Sequence, residues 1–181
     1  VDARNADLGK SELHRPPAQP LHKLLPIELM SLTHPAILET RSFQWPDEAA
    51  CAACAQRLAR VPALRPDTFI ALAGPLGAGK TTFVRHLLRA LGIDGRIKSP
   101  TYAVLEPYEL AGGEVFHFDF FRFDDPREWE DAGFRDLYAG PGLKIAEWPE
   151  KAAALLPLPD LRIAIEVEGD DRRSVRFDAL S

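Results

Sequence analysis

Residues 74–82 read Gly74-Pro75-Leu76-Gly77-Ala78-Gly79-Lys80-Thr81-Thr82, or GPLGAGKTT, a gapless match to G-x-x-x-x-G-K-[ST]. Glycines let consecutive backbone N–H groups turn inward around a phosphate, and the helix that follows adds its positive end. The stretch from Gly74 through Leu76, Gly77, Ala78 and Gly79 to Lys80, Thr81 and Thr82 is therefore the predicted nucleotide-binding set. Lys80 is placed to reach the β- and γ-phosphates, and the Thr81 hydroxyl to ligate Mg²⁺.

The flanks have the context such a loop needs. TFIALAG (68–74) is a short apolar run that stops at glycine, as a buried strand does. Beyond the loop, Phe83, Val84, Leu87, Leu88 and Leu91 form a helical stripe, with Arg85, His86 and Arg89 on the other face. Gly92 stands where a helix is capped by glycine. Upstream, AILETRSFQ predicts a first strand, and Asp47 to Arg60 a helix with acids in its first turn. Downstream, VLEPYEL and VFHFDFFRF flank a Gly-Gly turn and predict an antiparallel hairpin. PREWEDAGFRDLY is a weaker helical stretch. GLKIAEW predicts a further buried strand and PEKAAALL a short helix, while LRIAIEVE and RSVRF pair as a terminal hairpin. The fold class is α/β: a strand–loop–helix phosphate site with antiparallel hairpins, flanked by helices.

Bulk properties fit one domain. The 181 residues are 46% apolar and 27% charged, and at that size folding buries roughly 70% of the unfolded surface. Residues 1–38 form a separate N-terminal arm, broken by Pro16, Pro17, Pro20, Pro26 and Pro35 and expected to be poorly ordered; the P-loop domain is 39–181. No apolar run approaches the roughly 20 residues that span a bilayer, and the first residues have no secretory apolar core. The expectation is a cytoplasmic protein without a membrane partner. A net charge of −5 argues against a broad nucleic-acid-binding face. Cys51 and Cys54 lack a second pair to complete a zinc set and read as small helix-packing residues.

Two strand-end acids stand out. Asp119 closes VFHFD and is either a Mg²⁺ contact or the cap of a turn. Glu147 closes GLKIAE and either polarises an attacking water, holds a metal-bound water, or bonds to a nearby turn. His117 reads as a satisfied core or half-buried histidine rather than a ligand. Thr101, in KSPTY (98–102), completes the magnesium shell, senses the γ-phosphate, or sits in an ordinary turn. The guanine-reading N-K-x-D motif is impossible, since the one asparagine is Asn5, and no glutamine follows the loop to orient water. ATP is the expected nucleotide.

GPLGAGKTT, KSPTY, HFDFFR and AEWPE, in that order and at these spacings, together resemble the TsaE (YjeE) family, over about Glu39 to Leu156. The resemblance implies a small P-loop fold with a mixed sheet and an ATPase needed for threonylcarbamoyladenosine (t6A) modification of tRNA. It implies that Lys80, Thr101 and Glu147 are catalytic and that Thr81, Asp119 and Glu147 hold Mg²⁺. It also implies TsaD and TsaB as partners, with tRNA met only through that complex, and slow turnover that the partners stimulate. Phe121 stands where the family usually has a tyrosine, and Arg122 is either an arginine finger or a structural ion-pair partner. A small-molecule P-loop kinase and a non-catalytic nucleotide sensor are the alternatives.

Overall fold

The computed structural model describes residues 37–180, apart from 63, 65 and 170. The expected arm lies outside the described residues, save Ile37 and Leu38, which are exposed. Among the described residues seven strands form one sheet: β1 (Glu39–Trp45), β2 (Phe69–Ala73), β3 (Leu105–Leu110), β4 (Gly113–Asp119), β5 (Leu143–Glu147), β6 (Leu161–Glu168) and β7 (Arg172–Ala179). Their order is β1-β7-β6-β2-β5-β4-β3. The central four, β6-β2-β5-β4, run parallel. Antiparallel β7 and β1 extend one side and antiparallel β3 the other, so the sheet is mixed.

The apolar runs of β2 and β5 suit the middle of such a sheet, because parallel strands are covered on both faces. Ile70 and Leu72 point to one face, where Ile145, Ile163 and Ile165 meet Phe83, Val84, Leu87 and Leu88. Burying each such side chain contributes about 1.5–3 kcal/mol. Phe69 and Ala71 point to the other face, into an aromatic cluster of Phe116, Phe118, Phe120, Trp129 and Phe134.

Helix α1 (Glu48–Leu58) starts where Asp47 accepts a hydrogen bond from the Ala50 N–H at 2.8 Å. It buries Cys51 and Ala55, so the cysteine pair packs as the composition suggested. Helix α2 (Lys80–Ala90) begins directly at the loop lysine. It ends in a Schellman motif: Gly92 N–H donates to Arg89 O (3.1 Å) and Ile93 N–H to Leu88 O (2.9 Å), with Gly92 at φ 99°.

Three local expectations are refined. The first strand begins at Glu39. The stretch after residue 125 is two helices, α3 (Pro126–Asp131) and α4 (Phe134–Ala139), divided at Gly133, whose φ of 67° ends the first. The segment after Trp148 is a 3-10 turn, Pro149–Ala152.

Candidate active site

The parallel strands β2, β5 and β4 lie side by side, so their carboxyl ends open on one edge of the sheet. Ligands bind at that edge in open α/β folds. Register brings the chemistry together: Leu72 of β2 and Asp119 of β4 both align with Glu147 of β5. The glycine loop leaves β2 at the same level. A cavity of about 270 Å³ results, lined by Leu76, Gly77, Gly79, Lys80, Thr81, Thr82, Thr101, Asp119, Phe121, Glu147 and Trp148.

Each acid is held by donors before any ligand arrives. Glu147 Oε2 accepts from the Thr81 hydroxyl at 2.9 Å, and Oε1 lies 2.9 Å from His117 Nε2. Asp119 Oδ2 accepts from the Thr101 hydroxyl at 2.6 Å, and Oδ1 from the Phe121 N–H at 2.9 Å. Both carboxylates are buried, a state that costs several kcal/mol per charge unless hydrogen bonds replace water. KSPTY is fixed from β3, where the Tyr108 hydroxyl accepts from the Lys98 N–H at 3.1 Å.

Lys80 Nζ donates to the carbonyls of Gly74 (2.7 Å) and Pro75 (3.0 Å) and lies 3.8 Å from the centre of the Trp148 ring. Burial pushes its pKa below the ordinary lysine value, against the upward pull of Glu147, Glu150 and Asp119. The ammonium is thus desolvated and bonded to neutral carbonyls, a setting in which a phosphate oxygen is a stronger acceptor.

Backbone strain sits beside both acids. Val104 (φ 65°) and Trp148 (φ 57°) are the non-glycine residues with positive φ among those described. The Val104 carbonyl accepts from the Asp119 N–H at 2.9 Å, and the Trp148 N–H donates to Leu72 O at 3.2 Å. Such conformations persist where surrounding structure enforces them, and they cluster at functional sites.

The donor set is hard oxygen, one hydroxyl and two carboxylates, and so fits Mg²⁺. Among the described residues no cluster of three or more His, Cys, Asp or Glu side chains forms a metal cage. Magnesium does not need one where one or two carboxylates act with substrate phosphates.

Two members of the predicted nucleotide set do not line this cavity. Gly74 packs against β6, where a Cβ would meet Ile165 O at 2.3 Å. Ala78 is buried behind the loop, and its carbonyl accepts from Arg173 Nε of β7 at 3.1 Å. Arg122 stacks over the Tyr102 ring, 4.3 Å from its centre, and is not among the lining residues. Phe121 packs on Trp148 at 5.0 Å between ring centres. Two contacts escaped sequence reasoning. Arg173 reaches the loop from the terminal hairpin, and His117 reads as a packed core residue yet lies against Glu147.

Comparison with known proteins points to one family. The family model "Threonylcarbamoyl adenosine biosynthesis protein TsaE" matches residues 45–175. The tRNA threonylcarbamoyladenosine biosynthesis protein TsaE of Haemophilus influenzae is 42% identical over 108 residues, 60% of this chain and 68% of that one. Its namesake from Bacillus subtilis is 35% identical over 116 residues, 64% of this chain and 72% of its own. Among solved structures, Bacillus subtilis YdiB superposes with a TM-score of 0.64 at 27% identity, covering 81% of this chain and 89% of that one.

Proposed function

The chain belongs to the TsaE family, and from that premise we propose that it is a Mg²⁺-dependent ATPase serving t6A modification of tRNA at position 37. It acts on a TsaD–TsaB pair, and its ATP cycle resets that complex between turnovers. The observation that supports hydrolysis best is one cavity joining Lys80, Thr81 and Thr101 to two buried, pre-bonded carboxylates, Asp119 and Glu147. A site built only to bind phosphate would not need a second buried acid.

Magnesium, when bound, would neutralise charge that develops at the γ-phosphate. Backbone N–H groups of the glycine loop, where Gly77 and Gly79 line the cavity, hold the phosphate chain. Lys80 exchanges its two carbonyl partners for phosphate oxygens. Thr81 and Asp119 would supply the metal's oxygens, and Glu147 orients and polarises the attacking water through the carboxylate oxygen that faces Thr81. A positioned general base contributes about 10²–10⁴-fold. Thr101 couples the KSPTY loop to the site through Asp119, so a change at the γ-phosphate is felt on the surface that carries Tyr102.

Among the described residues no arginine lines the cavity. An arginine finger supplied in trans is worth about 10³–10⁵-fold, so slow turnover alone and faster turnover with the partner pair follow. The net charge of −5 fits a subunit that meets tRNA through its partners. No described helix is long and apolar enough to cross a membrane, and we place the protein's work in the cytoplasm.

The test is t6A content in tRNA of bacteria depleted of their own family member. The wild-type chain restores it and Lys80→Ala does not. Restoration by Lys80→Ala would refute a role that depends on ATP.

A further inference from the structure

We propose that His117 is a positioning residue for Glu147, fixing which carboxylate oxygen serves the nucleotide. This rests on the reading of Glu147 as the acid that orients water. His117 is 0% exposed, two residues before Asp119 on β4. Parallel register aligns it with Ile145 and so puts its ring diagonally opposite Glu147, two places along β5 on the same face. Nε2 lies 2.9 Å from Oε1. Nδ1 is buried without a hydrogen-bond partner among the described residues.

A carboxylate accepts and does not donate, so the ring proton that makes this bond is on Nε2. A proton on Nδ1 alone would turn the bare Nε2 lone pair toward the carboxylate and lose this bond. With Oε1 engaged by His117, Oε2 stays on the side of Thr81 and the loop. The carboxylate therefore does not rotate to present either oxygen at random. His117 is not among the residues that line the cavity and acts only through Glu147. Partners that orient a site's acids in this manner affect activity or metal affinity by about 10–100-fold when removed.

Two variants and one spectroscopic readout test this on the full chain. His117→Leu keeps apolar bulk and removes the donor; His117→Gln keeps an N–H near the Nε2 position. We expect kcat for ATP to fall about 10–100-fold in His117→Leu, with the affinity for a non-hydrolysable ATP analogue and the binding stoichiometry retained, and to recover largely in His117→Gln. Two-dimensional ¹⁵N–¹H spectra of the side chains should show His117 as the Nε2–H tautomer, with signals that move in Glu147→Gln. Equal loss in the Leu and Gln variants, an Nδ1–H tautomer, or signals indifferent to Glu147→Gln would overturn the proposal. A wild-type chain that binds ATP but never turns it over would overturn the hydrolysis reading instead. The tautomer of His117, and the response of its signals to Glu147→Gln, would then decide the role of His117.

Discussion

Gly74→Ala places a methyl group where the structure has no room for one. The new Cβ would lie 2.3 Å from the Ile165 carbonyl oxygen, 3.3 Å from its carbon and 3.4 Å from Ala78 Cβ. That carbonyl cannot swing aside cheaply, because β6 is held in register on both sides, Ala164 against Ala73 and Ile165 against Val175. Overpacking of this kind costs about 1–3 kcal/mol. A φ of +145° for a residue with a side chain adds about 1–3 kcal/mol of backbone strain. Gly77→Ala is the control: its φ is +78° and no atom lies within 4 Å of the point its methyl would occupy, so it bears strain alone. The clash therefore separates the two variants by about 1–3 kcal/mol. At about 2–4 °C per kcal/mol for a chain of this length, Gly74→Ala should melt roughly 2–12 °C below Gly77→Ala in calorimetry. Equal melting temperatures would refute the claim that the loop's entry is locked against β6.

Lys80→Ala should weaken binding of a non-hydrolysable ATP analogue by about 1.5–3 kcal/mol, or about 10- to 150-fold, the worth of charged hydrogen bonds lost. Burial holds the lysine below its ordinary 10.5, and phosphate charge raises it again, so analogue binding takes up protons between the lowered and the raised pKa and affinity falls as pH rises through that window. Titration calorimetry in buffers of different ionisation enthalpy detects this uptake, which Lys80→Ala abolishes. Thr101→Ala removes the 2.6 Å bond to Asp119 and should raise the Mg²⁺ concentration for half-maximal turnover about tenfold, while Thr101→Ser leaves it near the wild-type value.

The local parts of this molecule were legible because local physics dictates them. GPLGAGKTT fixes a strand–loop–helix unit by its glycines and flanking apolar runs, and the Gly-Gly turn fixes the β3–β4 hairpin. Asp119 and Glu147 were visible as acids that end apolar strands. Strand order was not visible, since the insertion of β2 between β5 and β6 is a pairing of segments far apart in the chain and leaves no trace in periodicity. The contact between His117 and Glu147 depends on that order and on a register of single residues. So does the reach of Arg173 from the last strand to the carbonyls of Ala78 and Gly77. One signal for His117 was present: period-2 alternation puts it on the face of Asp119, in an otherwise apolar strand. The division of the 126–139 stretch was foreshadowed by Gly133 alone.

Release of inorganic phosphate from ATP, measured for the chain alone and with a TsaD–TsaB pair, beside Glu147→Gln, tests the central claim most directly. Glu147→Gln keeps the side chain's shape and removes the carboxylate. Turnover that needs Mg²⁺, rises with the pair, and falls about 10²–10⁴-fold in the variant is the predicted result. Turnover equal in both proteins and indifferent to the pair would contradict it.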